Sequence, residues 1–264
     1  MPSVDDFMRR LKRNEQRGSK PRCHWLTHGS EEEMAKRLSR LIEPWGRVDP
    51  KAVCLPRGFE VLTEAQLHRK TGLLSASTPA VLKAWWLGTA SDTRRTPHWD
   101  IATTCVIGDR EDGVLLVEAK AHSVELIKER AGRKVEAPVT NDAQRTHVRI
   151  GEAIQEANAA LTKETGVPWA LVRDRNYQMS NRFAWAWKLA ELGTPVILVY
   201  LGFLHADEMV DKSPAFQNHA EWQALVRAES EDLFPFEVWN RAWNIQGVPL
   251  IPLIKSTEQP FDRA

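Results

Sequence analysis

The sequence predicts an α/β protein with a mixed central sheet and helices on both of its faces. Three stretches carry that expectation. Ile101–Ile107 and 114–117 are short apolar runs rich in Val, Ile and Thr around the glycine-bracketed loop GDREDG, the pattern of a β-hairpin. Residues 177–192 read as a helix closed by Gly193, followed after Pro195 by a continuously apolar strand over 196–201. A helix feeding such a strand is an α/β unit, and the strand needs cover on both faces. Asn141 to Thr165 has the spacing of a long helix, with Val148, Ile150, Ala153, Ile154, Ala157 and Leu161 as packing residues and Gly166 as its stop.

Composition narrows the class. The chain has 264 residues, 42% hydrophobic and 27% charged, which suits one globular domain with appendages. No apolar run approaches the roughly 20 residues of a membrane span, and residues 1–20 lack the apolar core of a secretory signal. Cys23, Cys54 and Cys105 are odd in number and widely spaced, which speaks against a disulfide framework. These features point to a cytoplasmic protein without a membrane partner. With a net charge of +1, any nucleic-acid contact must come from local patches.

Taken in order, residues 1–22 hold seven Lys or Arg against three acids, with Val4, Phe7, Met8 and Leu11 at helical spacing. They read as a short amphipathic helix followed by a mobile basic segment, QRGSKPR. Ser30 before Glu31-Glu32-Glu33 starts a helix whose apolar face is Met34, Leu38, Leu41 and Ile42 and which Pro44 ends. Residues 52–62 carry strand-like pieces broken by Pro56 and Gly58, Thr63 to Gln66 has capping-box spacing, and Thr78-Pro79 starts a helix through Trp86. The polar stretch before the hairpin reads either as an exposed loop or as a segment whose Arg94 and Arg95 touch phosphate. After it, Ser123 reads as a cap, Glu125 as its companion, and 128–140 as an exposed loop. In the last part, 215–231 is a charged helix, and Pro249 and Pro252 confine the apolar run 248–254 to a sheet edge.

The hairpin also carries chemistry. Asp100 opens its first strand and Glu118 and Lys120 close the second, so antiparallel pairing sets both carboxylates and one ammonium at one end. Two neighbouring carboxylates repel unless a proton or cation lies between them. Mg²⁺ takes one or two carboxylates, keeps several waters and accepts substrate phosphate, and the Ala119 carbonyl is a further oxygen donor. Lys120 would orient or deprotonate water and stabilise phosphate charge. Metal-assisted phosphodiester hydrolysis uses these parts.

Asp100 followed, after an apolar hairpin, by Glu118-Ala119-Lys120 resembles the motif of the PD-(D/E)xK nucleases, the restriction-endonuclease-like superfamily. The likeness covers about two dozen residues. It departs from the pattern at His98-Trp99, where the motif's proline would stand; Pro97 is close. The resemblance implies a restriction-endonuclease-like core over 95–205, with 1–94 a helical region packed on it and 206–264 an α/β extension. It also implies a Mg²⁺-dependent endonuclease, with Mn²⁺ as a substitute, acting on nucleic acid and on DNA first. By position, Asp100, Glu118 and Lys120 are catalytic, and Asp100, Glu118 and Ala119 hold the metal. Some members add an acid from an upstream helix; Glu33 and Glu43 are the candidates for it, and a solvated helix face is the alternative reading of both. Such proteins often offer a polar side chain from the helix after this strand. Here Gln178, Asn181 and Arg182 share a stripe that Tyr177 precedes, and these four are the expected substrate-binding residues. The alternative is a nucleic-acid-binding or interaction module on the same fold without turnover.

Overall fold

The computed structural model describes residues 3–88, 96–134 and 140–260, so Arg94 and Arg95 lie outside the described residues. In chain order the elements are α1 (Val4–Arg10), α2 (Ser19–Leu26), α3 (Glu31–Ile42), β1 (Gly46–Arg47), β2 (Cys54–Leu55), α4 (Thr78–Leu87), β3 (Ile101–Ile107) and β4 (Arg110–Lys120). There follow α5 (Ser123–Ile127), α6 (Asn141–Thr165), α7 (Tyr177–Glu191), β5 (Val196–Leu204), α8 (His219–Ser230), β6 (Trp243–Ile245) and β7 (Val248–Glu258).

The strands form one mixed sheet in the order β1-β3-β4-β5-β7-β6, with β2 also on β3. β3 and β4 are antiparallel, and β4, β5 and β7 run parallel. Strand alternation assigns the two faces. Val114 and Leu116 of β4 and Val196, Leu198 and Tyr200 of β5 join the core under α4, α6, α7 and α8. Leu115, Val117, Ile197 and Val199 face α2 and α3. The sheet is therefore covered on both sides, as its unbroken apolar strands require.

The helix starts follow the sequence. Ser30 caps α3 in a reciprocal box with Glu33, and Gly166 ends α6 in the left-handed conformation. The hairpin turn is tighter than expected. Gly108 (φ 58°) and Asp109 make the whole connection, and β4 begins at Arg110, with a register irregularity between Cys105 and Ile107. Five further readings are corrected. QRGSKPR is fixed: it runs into α2, Arg17 pairs with Asp211, and Arg22 is buried against Glu208. Thr63 to Gln66 starts no helix; Ala65 bridges Trp99 instead, as an extra rung beside β3. Ser123 is the first residue of α5 rather than its cap, and Val148 lies exposed on α6. Finally, β7 is not an edge strand: β6 pairs with it over Val248 to Leu250 and β5 pairs with it from Leu250 onward. Pro249 lies just before the β5 ladder starts at Leu250, and Pro252 offers only its carbonyl, to Asn240, so neither interrupts pairing.

Candidate active site

The β3–β4 register sets the acids side by side. Ile101 stands opposite Val117, so Asp100 falls opposite Glu118. The Ala119 amide donates to Asp100 Oδ2 at 2.7 Å. An extended residue directs its N–H and C=O to the same strand edge, so the Ala119 carbonyl also lies on the Asp100 side. Glu118 and Lys120 point to the α7 face and are buried, whereas Ala119 faces the opposite core.

Glu118 is the hub. Lys120 Nζ donates to its Oε1 at 2.5 Å, Arg182 Nε donates to its Oε2 at 2.6 Å, and Gln178 Nε2 donates to Oε1 as well. Residues 178 and 182 of the polar stripe thus meet the hairpin. Asn181, beside them, accepts from Arg182 Nη1 at 3.0 Å, and Arg182 Nη2 reaches the His98 carbonyl at 2.7 Å. The Arg182 guanidinium lies 4.6 Å from the centre of the Trp99 ring. Its placement differs from that of a free phosphate ligand, because its charge is spent on Glu118. Tyr177 stands at the start of the helix, and its hydroxyl interacts with Arg133 and Asn181.

Two acids that sequence reasoning missed complete the cluster. Glu129, in a single helical turn after α5, is buried and lies 2.6 Å from Lys120 Nζ. Its surroundings in the sequence, KERAGRK, read as solvated loop and carry no signal of burial. Glu64 is brought to the Asp100 end by the Ala65–Trp99 rung and pairs with Lys20 at 3.0 Å and His98 Nδ1 at 3.4 Å. Of the acids upstream of the hairpin, Glu64 is the one whose charge acts on Asp100. Glu33 is occupied in the cap of α3, and Glu43 sits exposed at its other end.

The charges act on one another strongly. Burial, then the Glu118 charge, pushes the Asp100 carboxyl up to about 8. Burial, and Glu118 with it, raises Glu129 to about 7 against the pull of Lys120. Burial opposes the charge on Lys120, but Glu118, Glu129 and Asp100 outweigh it and hold the ammonium well above its ordinary value. Burial likewise disfavours the Glu64 anion, yet His98 and Lys20 bring it down to about 2. Lys120 is thus held as a cation by Glu118 and Glu129. Asp100 is the carboxyl short of positive charge.

The donor set suits a hard cation with few protein ligands. Asp100, Glu118 and the Ala119 carbonyl supply oxygens, and the raised Asp100 marks where a proton or cation is wanted. Among the described residues, no group of three or more His, Cys, Asp or Glu side chains that could hold a metal ion comes together. Beside the acids opens a cleft of about 300 Å³ between His98, Arg133, Tyr177, Gln178, Asn181 and Arg182. No protein-family model, curated protein or solved structure matches this chain. No helix among the described residues is long and apolar enough to cross a membrane.

Proposed function

We propose that this protein is a metal-dependent phosphodiester hydrolase of nucleic acid, on a restriction-endonuclease-like core formed by β3, β4, α7 and β5. The observation that carries this reading is the meeting of Asp100 and Glu118, with Lys120 on Glu118, at the open end of the hairpin. Asp100, Glu118 and the Ala119 carbonyl would hold Mg²⁺ or Mn²⁺, which would supply Lewis acidity toward a phosphoryl oxygen and a more acidic water. The chain's own groups do the rest. Lys120 is charged, so it stabilises the anionic phosphate and orients water instead of accepting its proton. Gln178 and Arg182 fix the Glu118 carboxylate by three bonded contacts shared with Lys120. Trp99, stacked under Arg182 and wholly buried, keeps that side of the site dry.

A second reading has one observation in its favour. Both oxygens of Glu118 are already taken by cations or an amide, as in a module that binds nucleic acid without cutting it. A cleavage assay separates the two. Labelled single- and double-stranded DNA and RNA are incubated with the protein in Mg²⁺, in Mn²⁺ and in EDTA. Metal-dependent cleavage that Asp100→Asn abolishes supports the hydrolase, and binding without cleavage in either metal supports the module.

A further inference from the structure

The cleft beside Asp100 and Glu118 has a charge pattern of its own. No carboxylate lines it among the described residues, whereas Arg133 and the side-chain amides of Gln178 and Asn181 do. Arg133 is held in place from its backbone outward. Its amide donates to the Arg173 carbonyl at 2.9 Å, and Ala131 bridges Arg175. Gly132 between them lies so close to Asp174 that a Cβ would come within 2.0 Å of its carbonyl oxygen. The guanidinium then lies 5.6 Å from the centre of the Tyr177 ring. Its Nε is buried without a hydrogen-bond partner, and no carboxylate among the described residues pairs with it. A cation placed from its backbone, with no carboxylate partner among the described residues and facing a cleft of donors, suits an anion bound through paired hydrogen bonds.

Size limits what that anion belongs to. About 300 Å³ is at the lower end of small-ligand sites, room for one nucleotide and far too little for a duplex. We propose that the cleft is a subsite for one unpaired nucleotide flanking the scissile bond, its phosphate on Arg133, so that single-stranded nucleic acid is the substrate. This rests on the hydrolase reading for the word "scissile" alone; the subsite itself is tested by binding.

The probe is fluorescein-labelled oligothymidylate, single-stranded or annealed to oligoadenylate, titrated by anisotropy in Ca²⁺ at several salt concentrations. The wild-type protein binds the single strand more tightly than the duplex. Arg133→Ala weakens single-strand binding roughly tenfold, the size of a lost charge-assisted contact. It also reduces the steepness of log K against log salt by about 0.7, the share of one phosphate on a single strand. Arg133→Lys keeps the salt slope, and Arg133→Gln, which keeps a planar polar end, repeats the Ala result if Ala disturbs folding. Unchanged affinity and slope in Arg133→Ala and Arg133→Gln, or duplex bound as tightly as single strand, overturns the subsite. Arg133-dependent binding with no cleavage in Mg²⁺ or Mn²⁺ overturns the hydrolase and leaves the subsite standing. Cleavage that is indifferent to Arg133 does the reverse.

Discussion

Asp100 and Glu118 are neighbours with unequal duties, and substitution distinguishes them. Glu118 neutralises Lys120 and Arg182 in a buried setting, so Glu118→Gln strips the balancing charge from both. Removing one partner of a buried ion pair costs about 3–5 kcal/mol, and thermal melting of Glu118→Gln should show a loss of that order. Asp100 is already pushed toward its neutral form, so Asp100→Asn should melt near the wild type while losing metal-dependent cleavage. If Asp100→Asn cuts at the wild-type rate, the chemistry lies elsewhere. Glu64 gives a pH signature. Its folded value is about 2 against an ordinary 4.5, so from 4.5 downward the unfolded chain binds the proton that the folded one refuses. The stability due to Glu64 is complete above that window and is lost as pH falls through it. Glu64→Gln should flatten this part of the stability-against-pH curve; an unaltered slope would mean that the Lys20 and His98 contacts do not matter. At this scale the motif residues were legible because strand alternation and hairpin pairing are short-range rules. Glu129 and Glu64 were not, since each is placed by a contact far along the chain.

At the scale of elements, periodicity located nearly every long helix and strand, and its failures share a cause. The basic segment 16–22 looks solvated until Asp211 and Glu208, nearly two hundred residues later, neutralise Arg17 and Arg22. Thr63 to Gln66 has helical capping chemistry, but the backbone of Trp99 offers Ala65 a strand-like partner and wins. The polar stripe on α7 was readable as unusual, though not as the clamp on Glu118 that it is. β5 shows how closely one element is fitted to the next. A Cβ on Gly202 would lie 2.5 Å from the Trp222 ring of α8, whose Nε1 donates to the Tyr200 carbonyl at 3.2 Å. Overpacking of a tight contact costs about 1–3 kcal/mol. Gly202→Ala should lower the melting temperature accordingly without altering the metal dependence of cleavage, and an unchanged melting temperature would show that α8 yields freely.

For the whole molecule, the sheet gathers segments from the entire chain around one hydrophilic centre. β1 and β2 from the N-terminal region and β6 and β7 from the C-terminal part extend the sheet whose middle strands hold the site. The α/β class and the cover on both faces were legible, because continuous apolar strands admit few other environments. The place of β7 between β5 and β6 was not, because its prolines mimic an edge strand until the ladder register is known. Nor could a net charge of +1 reveal that the acids Asp100, Glu118, Glu129 and Glu64 crowd against Lys120, Arg182 and Lys20 in one place. Four acids against three fixed cations leave a place for one more positive charge. Anomalous diffraction from crystals soaked in Mn²⁺ tests it most directly. A manganese peak in contact with the carboxylates of Asp100 and Glu118, absent in Asp100→Asn, is the expected result; full occupancy of Mn²⁺ elsewhere, with no peak between these two residues, would contradict it.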